Sequence, residues 1–252
     1  MILGAQLYTL RLYTQNEKDL DYSLGEVAKM GYTTVQISAI GPSIAPKTVR
    51  ELCDKHGLKI VLTHTDPNRI LYDTENVIRD HEIMGCKYIG IGMMPERYRT
   101  PEWLSHFAQD YMGPARMIKD AGMLLMYHNH NLEFQKLDGM FYMDHLAEAF
   151  APDELGFTLD TYWMQAGGVD VCQYIEKWKD RIPCVHLKDM AIIKREQTMA
   201  PVLEGNMNFK AILKTLEGTN CEYILVEQDI CQESPFVCLK KSYDNVAALG
   251  YK

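Results

Sequence analysis

Ionisable side chains stand at the points where five apolar, β-rich runs of the sequence stop. These side chains are His64, His130 with Glu133, Asp160, His186 with Lys188, and Glu227. A metal-binding set can be drawn from them: Glu133, Asp160, His186 and Glu227. Three carboxylates and one imidazole suit Mn²⁺, Mg²⁺ or Co²⁺, and Zn²⁺ also tolerates such a set. Because three buried carboxylates would repel one another without a cation, the sequence predicts a divalent metal site, with manganese as the first choice.

Four more residues are predicted to contact the substrate: His64, His130, Trp163 and Lys188. Lys188 follows His186 by two residues, so both side chains would point to the same face of a strand. A salt bridge is the alternative role for Lys188, and support of a metal ligand is the alternative for either histidine. Trp163 could form an apolar wall for a sugar ring, or it could pack in the core. His128 is interpreted as structural.

A repeating strand-and-helix pattern positions these residues. Four times, a helical stretch ends in glycine and a β-rich run follows, as at Gly31, Gly57, Gly85 and Gly122. The predicted strands cover residues 3–8, 33–37, 59–62, 87–91, 123–127, 155–160, 183–188 and 223–228. The predicted helices cover residues 17–30, 46–56, 74–84, 101–121, 139–150, 170–179, 207–217 and 235–249. The fourth helix is expected to bend or split at Gly113-Pro114.

Eight alternating units predict one (β/α)8 TIM barrel over residues 1–252, because no glycine-rich phosphate loop follows the first strand as an open sheet would require. Barrel enzymes carry their chemistry at the carboxyl ends of the strands, which is where the ionisable residues fall. Residues 189–206 are predicted to be a plain loop that acts as a lid or a partner surface.

Composition excludes several classes of protein. A net charge of -8 and a pI of about 5.5 argue against a general nucleic-acid binder. No run of residues is long and apolar enough to predict a membrane span, and the first residues carry no basic leader. Seven scattered cysteines without a C-x-x-C pair indicate free thiols in a reducing cytoplasm. The sequence leaves assembly into a homo-oligomer open.

Five segments together resemble the xylose-isomerase-like barrels, which are often described as sugar phosphate isomerases/epimerases and include the family 2 apurinic-site endonucleases. The segments are residues 6–11, 127–134, 159–168, 185–189 and 226–229. The resemblance implies that Glu133, Asp160, His186 and Glu227 bind the metal and that Glu133 and Glu227 also transfer protons. Many relatives have a histidine where this chain has Trp163. Because Trp163 replaces that histidine, we do not expect the family's usual substrate contact at this position. The missing histidine also argues against a trinuclear zinc cluster, which needs more histidine ligands.

The predicted activity is therefore isomerisation or epimerisation of a sugar or keto-sugar, in which a glutamate moves a proton through a metal-stabilised enediolate. Elimination from a keto-inositol or 3-keto-glycoside shares the first step, so a lyase or dehydratase is the alternative. An abasic-site endonuclease and a non-catalytic partner subunit are weaker alternatives. A phosphorylated substrate would need a cationic anchor, for which the candidates are Arg11, Arg69, Arg97, Arg99 and Lys188.

Overall fold

The computed structural model describes residues 1–252 and centres on a closed barrel of eight parallel strands. The strands are β1 (Ile2–Gln6), β2 (Thr34–Ile37), β3 (Lys59–His64), β4 (Tyr88–Ile91), β5 (Leu124–His128), β6 (Leu155–Asp160), β7 (Cys184–Leu187) and β8 (Tyr223–Val226). β8 pairs with β1, with Ile224 opposite Leu3, so the sheet has no free edge. The predicted (β/α)8 barrel is confirmed, and each strand lies where the sequence predicted one.

Helices cover the outside of the barrel. They are α1 (Glu17–Met30), α2 (Pro46–Lys55), α3 (Pro67–Tyr72), α4 (Thr74–Met84), α5 (Pro101–Asp120), α6 (Tyr142–Ala149), α7 (Thr161–Ala166), α8 (Val171–Lys177), α9 (Phe209–Leu216) and α10 (Pro235–Ala247). Short 3-10 helices span Leu7–Tyr13, Glu96–Tyr98 and Leu132–Phe134. None of the helices has the length and apolar character needed to cross a bilayer.

Glycine ends helices α1 and α4, as the repeating pattern predicts. Gly31 has φ 112° and Gly85 has φ 65°, and the N–H of each donates back to a carbonyl of the last helical turn. This left-handed conformation lets the chain turn sharply from each helix into the next strand. Glycine is favoured at both positions because a side chain would make the conformation costly.

One local prediction is confirmed in neither half and another is wrong. The helix expected to bend or split at Gly113-Pro114 does not split, because α5 runs continuously from Pro101 to Asp120 with Pro114 buried inside it; a bend there stays a prediction. Residues 189–206 are not a plain loop, since Asp189–Ile193 and Glu196–Ala200 form an antiparallel hairpin.

The hairpin at Asp189–Ala200 lacks the glycine that usually identifies such a turn in a sequence. Lys194 and Arg195 occupy its tip with φ values of 52° and 72°, the two positive angles that a tight two-residue turn requires. The Asp189 carboxylate then accepts backbone hydrogen bonds from Leu203, Gly205 and Met207. These bonds fix the segment that leads from the hairpin to α9. The role of this segment as a lid stays a prediction.

The main apolar core lies between the barrel and its helices and contains 55 buried residues. A smaller apolar cluster fills the inside of the barrel and consists of Val61, Leu62, Tyr88, Met126, Cys184, Tyr223 and Leu225. Because strand side chains alternate between faces, residues two positions further along point to the same interior. Leu62, Met126, Cys184 and Leu225 are followed at that spacing by His64, His128, His186 and Glu227. The apolar interior therefore forms a floor beneath polar side chains at the carboxyl end.

Candidate active site

Four side chains converge at the carboxyl end of the barrel: His128 of β5, Asp160 of β6, His186 of β7, and Glu227 directly after β8. One nitrogen or oxygen atom from each lies within 4.8 Å of the others, and all four residues are buried. The group could hold a metal ion. Three of its members were predicted as ligands, whereas His128 was interpreted as structural. The two-residue alternation from Met126 to His128 was the signal that would have identified it.

Hydrogen bonds fix the orientation of both imidazoles. His128 Nδ1 lies 3.0 Å from the carbonyl oxygen of Gly92, which can only accept, so Nδ1 is the donor and Nε2 faces Asp160 Oδ2 at 3.3 Å. His186 Nε2 donates to Gln36 Oε1 over 2.7 Å. That bond leaves His186 Nδ1 buried, without a hydrogen-bond partner and 3.1 Å from Glu227 Oε2. Each ring therefore presents one nitrogen to the group, as supported histidine ligands do.

The backbone around Asp160 holds its carboxylate in place. The N–H of Asp160 donates to Asn129 Oδ1, and its own Oδ1 accepts from the N–H of Trp163 at the first turn of α7. Capping a helix amino terminus uses one carboxylate oxygen and leaves the other, Oδ2, for the site. The carboxylate has no exposed surface.

Lys188 brings a buried ammonium into contact with the carboxylates. Its Nζ lies 3.0 Å from Asp160 Oδ2, 2.7 Å from Glu227 Oε2 and 3.1 Å from Asp229 Oδ2, while 1% of the side chain is exposed. Burial alone would lower the pKa of Lys188, but the three carboxylates outweigh it and raise this pKa above its usual value. Lys188 therefore carries a positive charge near pH 7. These contacts are salt bridges, which were predicted as the alternative role of Lys188.

The same charges shift the neighbouring acids in different directions. Burial would raise the pKa of Asp160 and of Glu227, but Lys188 and the imidazoles outweigh burial and hold both pKa values below their usual range. Burial and the Glu227 carboxylate raise the pKa of Asp229 to about 6. The ionised Asp160 and Glu227 keep lone pairs available to a cation.

Charge counting favours a divalent ion at this position. Three carboxylates, those of Asp160, Glu227 and Asp229, face one ammonium, that of Lys188, which leaves two negative charges when all three acids are ionised. Burial lowers the pKa of His186, but Glu227 and Asp160 outweigh burial and raise it, so an imidazolium can offset one of these charges when no metal is bound. Buried anions of this kind require pairing or metal coordination. Oxygen and imidazole donors suit Mn²⁺, Co²⁺ or Zn²⁺. The residues present therefore fit a divalent metal.

Glu133 does not join this group. It lies in the 3-10 helix Leu132–Phe134, where Oε1 accepts from Tyr127 Oη at 2.6 Å and Oε2 accepts from the N–H of His130 at 2.7 Å. Both oxygens thus receive a hydrogen bond, which is the arrangement that holds an ionised carboxylate in a fixed orientation. Glu133 nevertheless lines the same cavity as Glu227.

That cavity opens above the group and has a volume of about 630 Å³. Its lining includes six of the residues predicted from the sequence, which are His64, His130, Glu133, Trp163, Lys188 and Glu227. Asp160 and His186 lie in the interior beneath it. The volume lies within the range of about 300–1,000 Å³ that small-molecule sites occupy.

Several hydrogen-bonding atoms of the lining have no partner within the protein. Those on uncharged side chains are His64 Nε2, His130 Nδ1 and Trp163 Nε1. Burial lowers the pKa of His64 well below its ordinary value and lowers the pKa of His130 to about 3, and the nearby His128 adds to both shifts. Both rings are therefore neutral near pH 7. Neutral imidazole and indole groups without partners are suited to a polyhydroxylated ligand, since buried polar groups require hydrogen bonds.

Most of the candidate cationic anchors for an anionic substrate group are already paired. Arg11 donates to the carbonyls of Tyr8 and Asp229. Arg69 forms ion pairs with Asp73 and Asp80, and Arg97 forms one with Asp110. Arg99 differs, because only its Nε is used, in a 2.8 Å hydrogen bond to the carbonyl of Met94. It lines the cavity and leaves its terminal nitrogens for a ligand.

Known proteins resemble this chain in fold and partly in sequence. An inosose dehydratase from Geobacillus kaustophilus is 26% identical over 237 residues, which cover 83% of this chain and 73% of that protein. A sugar phosphate isomerase/epimerase from Parabacteroides distasonis superposes with a TM-score of 0.83 at 23% identity, covering 98% of this chain and 93% of that one. An L-ribulose 3-epimerase superposes with a TM-score of 0.74 at 14% identity, covering 98% and 94% of the two chains. Likeness at these identities to the two solved structures establishes the shared fold.

The sequence model described as xylose isomerase-like TIM barrel matches residues 24–234, which is most of the chain. The match includes every strand of the barrel except β1 and all four residues that converge at its carboxyl end. The barrel, the convergent group and this match agree, and the chain belongs to the xylose isomerase-like TIM barrel family.

Proposed function

We propose that this protein is a divalent-metal-dependent isomerase or epimerase of a sugar or keto-sugar that moves a proton on the carbon beside a carbonyl. One observation carries the proposal: two glutamates line one cavity, Glu227 within the group that could hold a metal and Glu133 outside it. A proton-transfer enzyme needs positioned acid and base groups next to the reacting carbon, and this arrangement supplies two.

The metal is proposed to bind His128, Asp160, His186 and Glu227, and manganese remains our first choice. When bound there, a divalent ion supplies Lewis acidity that polarises a substrate carbonyl and makes the neighbouring C–H more acidic. The earlier prediction that Glu133 is also a ligand remains untested. In the structure, both Glu133 oxygens accept hydrogen bonds from Tyr127 and His130, so a ligand role would require at least one of those bonds to give way.

Glu133 is proposed to take the proton from the substrate carbon. Glu227, which is ionised in the resting site, is proposed to take up a proton from solvent and to return it to the carbon from another direction. The Tyr127 hydroxyl and the His130 N–H keep the Glu133 carboxylate oriented while its charge changes. His64, His130 and Trp163 would donate to, or accept from, substrate hydroxyls through their unpartnered nitrogens. Arg99 would engage an anionic group at the far end of a substrate that carries one.

A dehydratase is the second candidate, and a specific observation favours it. The curated relative that matches 83% of this chain is an inosose dehydratase, an enzyme that eliminates water. Elimination begins with the same proton removal, and Glu133, which then carries that proton, would protonate the leaving hydroxyl. The acidic chain, with a net charge of -8, gives no support to a DNA substrate. Seven free cysteines agree with an enzyme of the reducing cytoplasm.

Incubation with ketoses, keto-inositols and 3-keto-glycosides in deuterated water with added Mn²⁺ tests the proposal. An isomerase or epimerase should place solvent deuterium at the reacting carbon and give an isomer of the same mass apart from that label. A dehydratase should give a product lighter by one water. A protein that binds Mn²⁺ but neither exchanges deuterium nor changes any member of the panel would contradict both candidates.

A further inference from the structure

The geometry around Lys188 differs among the three carboxylates that its ammonium contacts. Only the contact with Asp229 Oδ2, at 3.1 Å, has the angles of a hydrogen bond. The shorter contact with Glu227 Oε2, at 2.7 Å, lacks them, and that oxygen is buried without a hydrogen-bond partner. The contact with Asp160 Oδ2 at 3.0 Å likewise is an ion pair without a hydrogen bond. Lys188 therefore donates to Asp229 and acts on the other two through charge.

Asp229 has spare capacity to accept from the ammonium. Its second oxygen, Oδ1, is buried and has no hydrogen-bond partner, while Oδ2 is already bonded to Lys188. Its backbone is held in place, because its N–H contacts Met199 Sδ and its carbonyl accepts from Arg11. The Asp229 carboxylate can therefore accept a further hydrogen bond from the Lys188 ammonium if that ammonium moves away from Asp160 and Glu227.

The backbone of Lys188 cannot move away from the site. Its N–H and carbonyl both bond the Thr161 hydroxyl at the start of α7, at 3.0 Å and 2.8 Å. Only the flexible side chain can respond to a second cation, and its Nζ stands within 3.0 Å of two oxygens that a metal at the convergent group would use. An ammonium and a divalent ion in contact with the same two oxygens would repel each other strongly in a buried site.

We infer that Lys188 and Asp229 form a charge-exchange pair: the Lys188 ammonium neutralises Asp160 and Glu227 before a divalent ion binds, and it withdraws onto Asp229 when the ion arrives. This inference rests on the metal site of the proposed function. Lys188 then tunes metal affinity by competing for the site, and Asp229 is a positioning residue that acts through Lys188. The pair keeps buried carboxylates compensated in both states.

Calorimetric titration with Mn²⁺ tests the pair without any assay of turnover. Lys188→Met removes the competing charge and should tighten Mn²⁺ binding by roughly tenfold or more. The melting temperature of the metal-free variant should fall, and the rise on adding Mn²⁺ should exceed the rise in the wild type. Lys188→Gln offers a second neutral variant that can still hydrogen-bond Asp229. Lys240→Met, which removes an exposed lysine paired with Asp244, is the matched control and should leave the Mn²⁺ affinity unchanged.

A double-mutant cycle separates a competing pair from simple loss of charge. Asp229→Asn should weaken Mn²⁺ binding by roughly tenfold when Lys188 is present, because the ammonium then has only Asp160 and Glu227 as partners. In the Lys188→Gln background the same change should have a much smaller effect. An equal loss in both backgrounds would show that Asp229 acts on the metal directly, and weaker binding in both neutral variants of Lys188 would show that Lys188 supports the site. Either result overturns the inference.

The outcome is independent of which reaction the protein catalyses. If both neutral variants tighten Mn²⁺ binding while no member of the substrate panel reacts, the charge-exchange pair stands and the proposed function fails. If the panel reacts and the neutral variants weaken binding, the proposed function stands and the pair is wrong.

Discussion

The interior of the barrel contains two layers that are built from the same strands and behave in opposite ways. The apolar layer consists of Leu62, Met126, Cys184 and Leu225, and the polar layer above it consists of His64, His128, Asp160, His186 and Glu227. Four members of the polar layer follow a member of the apolar layer by two residues. All of these side chains except the partly buried His64 are almost fully buried, so burial does not distinguish the two layers.

The difference between the layers lies in what each requires of its neighbours. Leu225 needs only a matching shape, and its burial is favourable by itself. Glu227, two residues later, is buried at a cost that only Lys188, His186 or a bound cation can offset. The apolar layer should therefore determine stability, and the polar layer should determine binding and chemistry. Mutations in each layer can test this division.

The largest effect is expected from the two glutamates that border the cavity. Glu133→Gln and Glu227→Gln keep the side-chain volume but remove a group that is proposed to transfer a proton, and losing such a group typically costs about 100- to 10,000-fold in rate. Deuterium exchange into the substrate should fall with turnover. The two variants should differ in metal content, because Glu227 belongs to the convergent group and Glu133 does not. Metal analysis that finds Mn²⁺ lost only from Glu133→Gln would instead support the earlier prediction that Glu133 is a ligand.

Asp160→Asn should affect the metal more than it affects the fold. The amide oxygen can still cap α7 through the N–H of Trp163, but the negative charge that faces Lys188 and the imidazoles is lost. Mn²⁺ affinity should fall by roughly 100-fold, since an uncompensated buried cation and a lost ligand act together. Calorimetric titration measures the affinity. Asp153→Asn, which removes one member of an exposed ion pair, is the control and should bind Mn²⁺ like the wild type.

Leu225→Ala sharpens the comparison from the apolar side. Removing this fully buried side chain should lower the free energy of unfolding by about 2–5 kcal/mol. Chemical denaturation measures the loss. At temperatures where the variant is folded, its Mn²⁺ affinity should stay within about threefold of the wild type, because the strand still presents Glu227. A large loss of metal affinity with little loss of stability would mean that the two layers are not separable in this way.

The smallest expected effect near neutral pH is a change in acid sensitivity at the polar end. Burial lowers the pKa of His130 to about 3, against about 6.5 for an unfolded histidine, so the unfolded chain binds a proton that the folded protein does not. Between about pH 6.5 and pH 3 this difference lowers the free energy of unfolding as the pH falls, by up to about 1.4 kcal/mol per pH unit. Above pH 6.5 both states are neutral and the contribution is complete.

His130→Gln should therefore flatten the loss of stability between pH 6.5 and pH 4.5 while leaving the region above pH 7 with the same slope. Denaturant titrations across this range measure both slopes. His106→Gln, at a partly exposed position on α5, is the control. Identical slopes for His130→Gln and the wild type would show that His130 is not the group that the folded protein keeps neutral.

The sequence was informative about the site wherever a polar side chain stood at the end of an apolar run. Asp160, His186 and Glu227 are polar residues at the ends of apolar runs, and such ends meet at one edge of a parallel barrel, so their convergence could be predicted. His128 was missed because the run Tyr127-His128-Asn129-His130 contains several polar residues, and the alternation from Met126 identifies the inward one only once Met126 is known to face the barrel interior. Gln36, which orients His186, lies in an otherwise ordinary strand, and its partner is 150 residues away in the chain.

The sequence by itself determined the barrel. Eight strand-and-helix units, four of which have a glycine after the helix, leave few other folds open to the chain, and local propensity acts within each unit. Only the tertiary structure decided where each charge goes. Glu133 reaches Tyr127 instead of the convergent group, and Lys188 reaches three acids from three positions in the chain. The physical reason is range: hydrophobic periodicity is a local property of the sequence, whereas the partner of a buried charge depends on distances that exist only after the barrel closes.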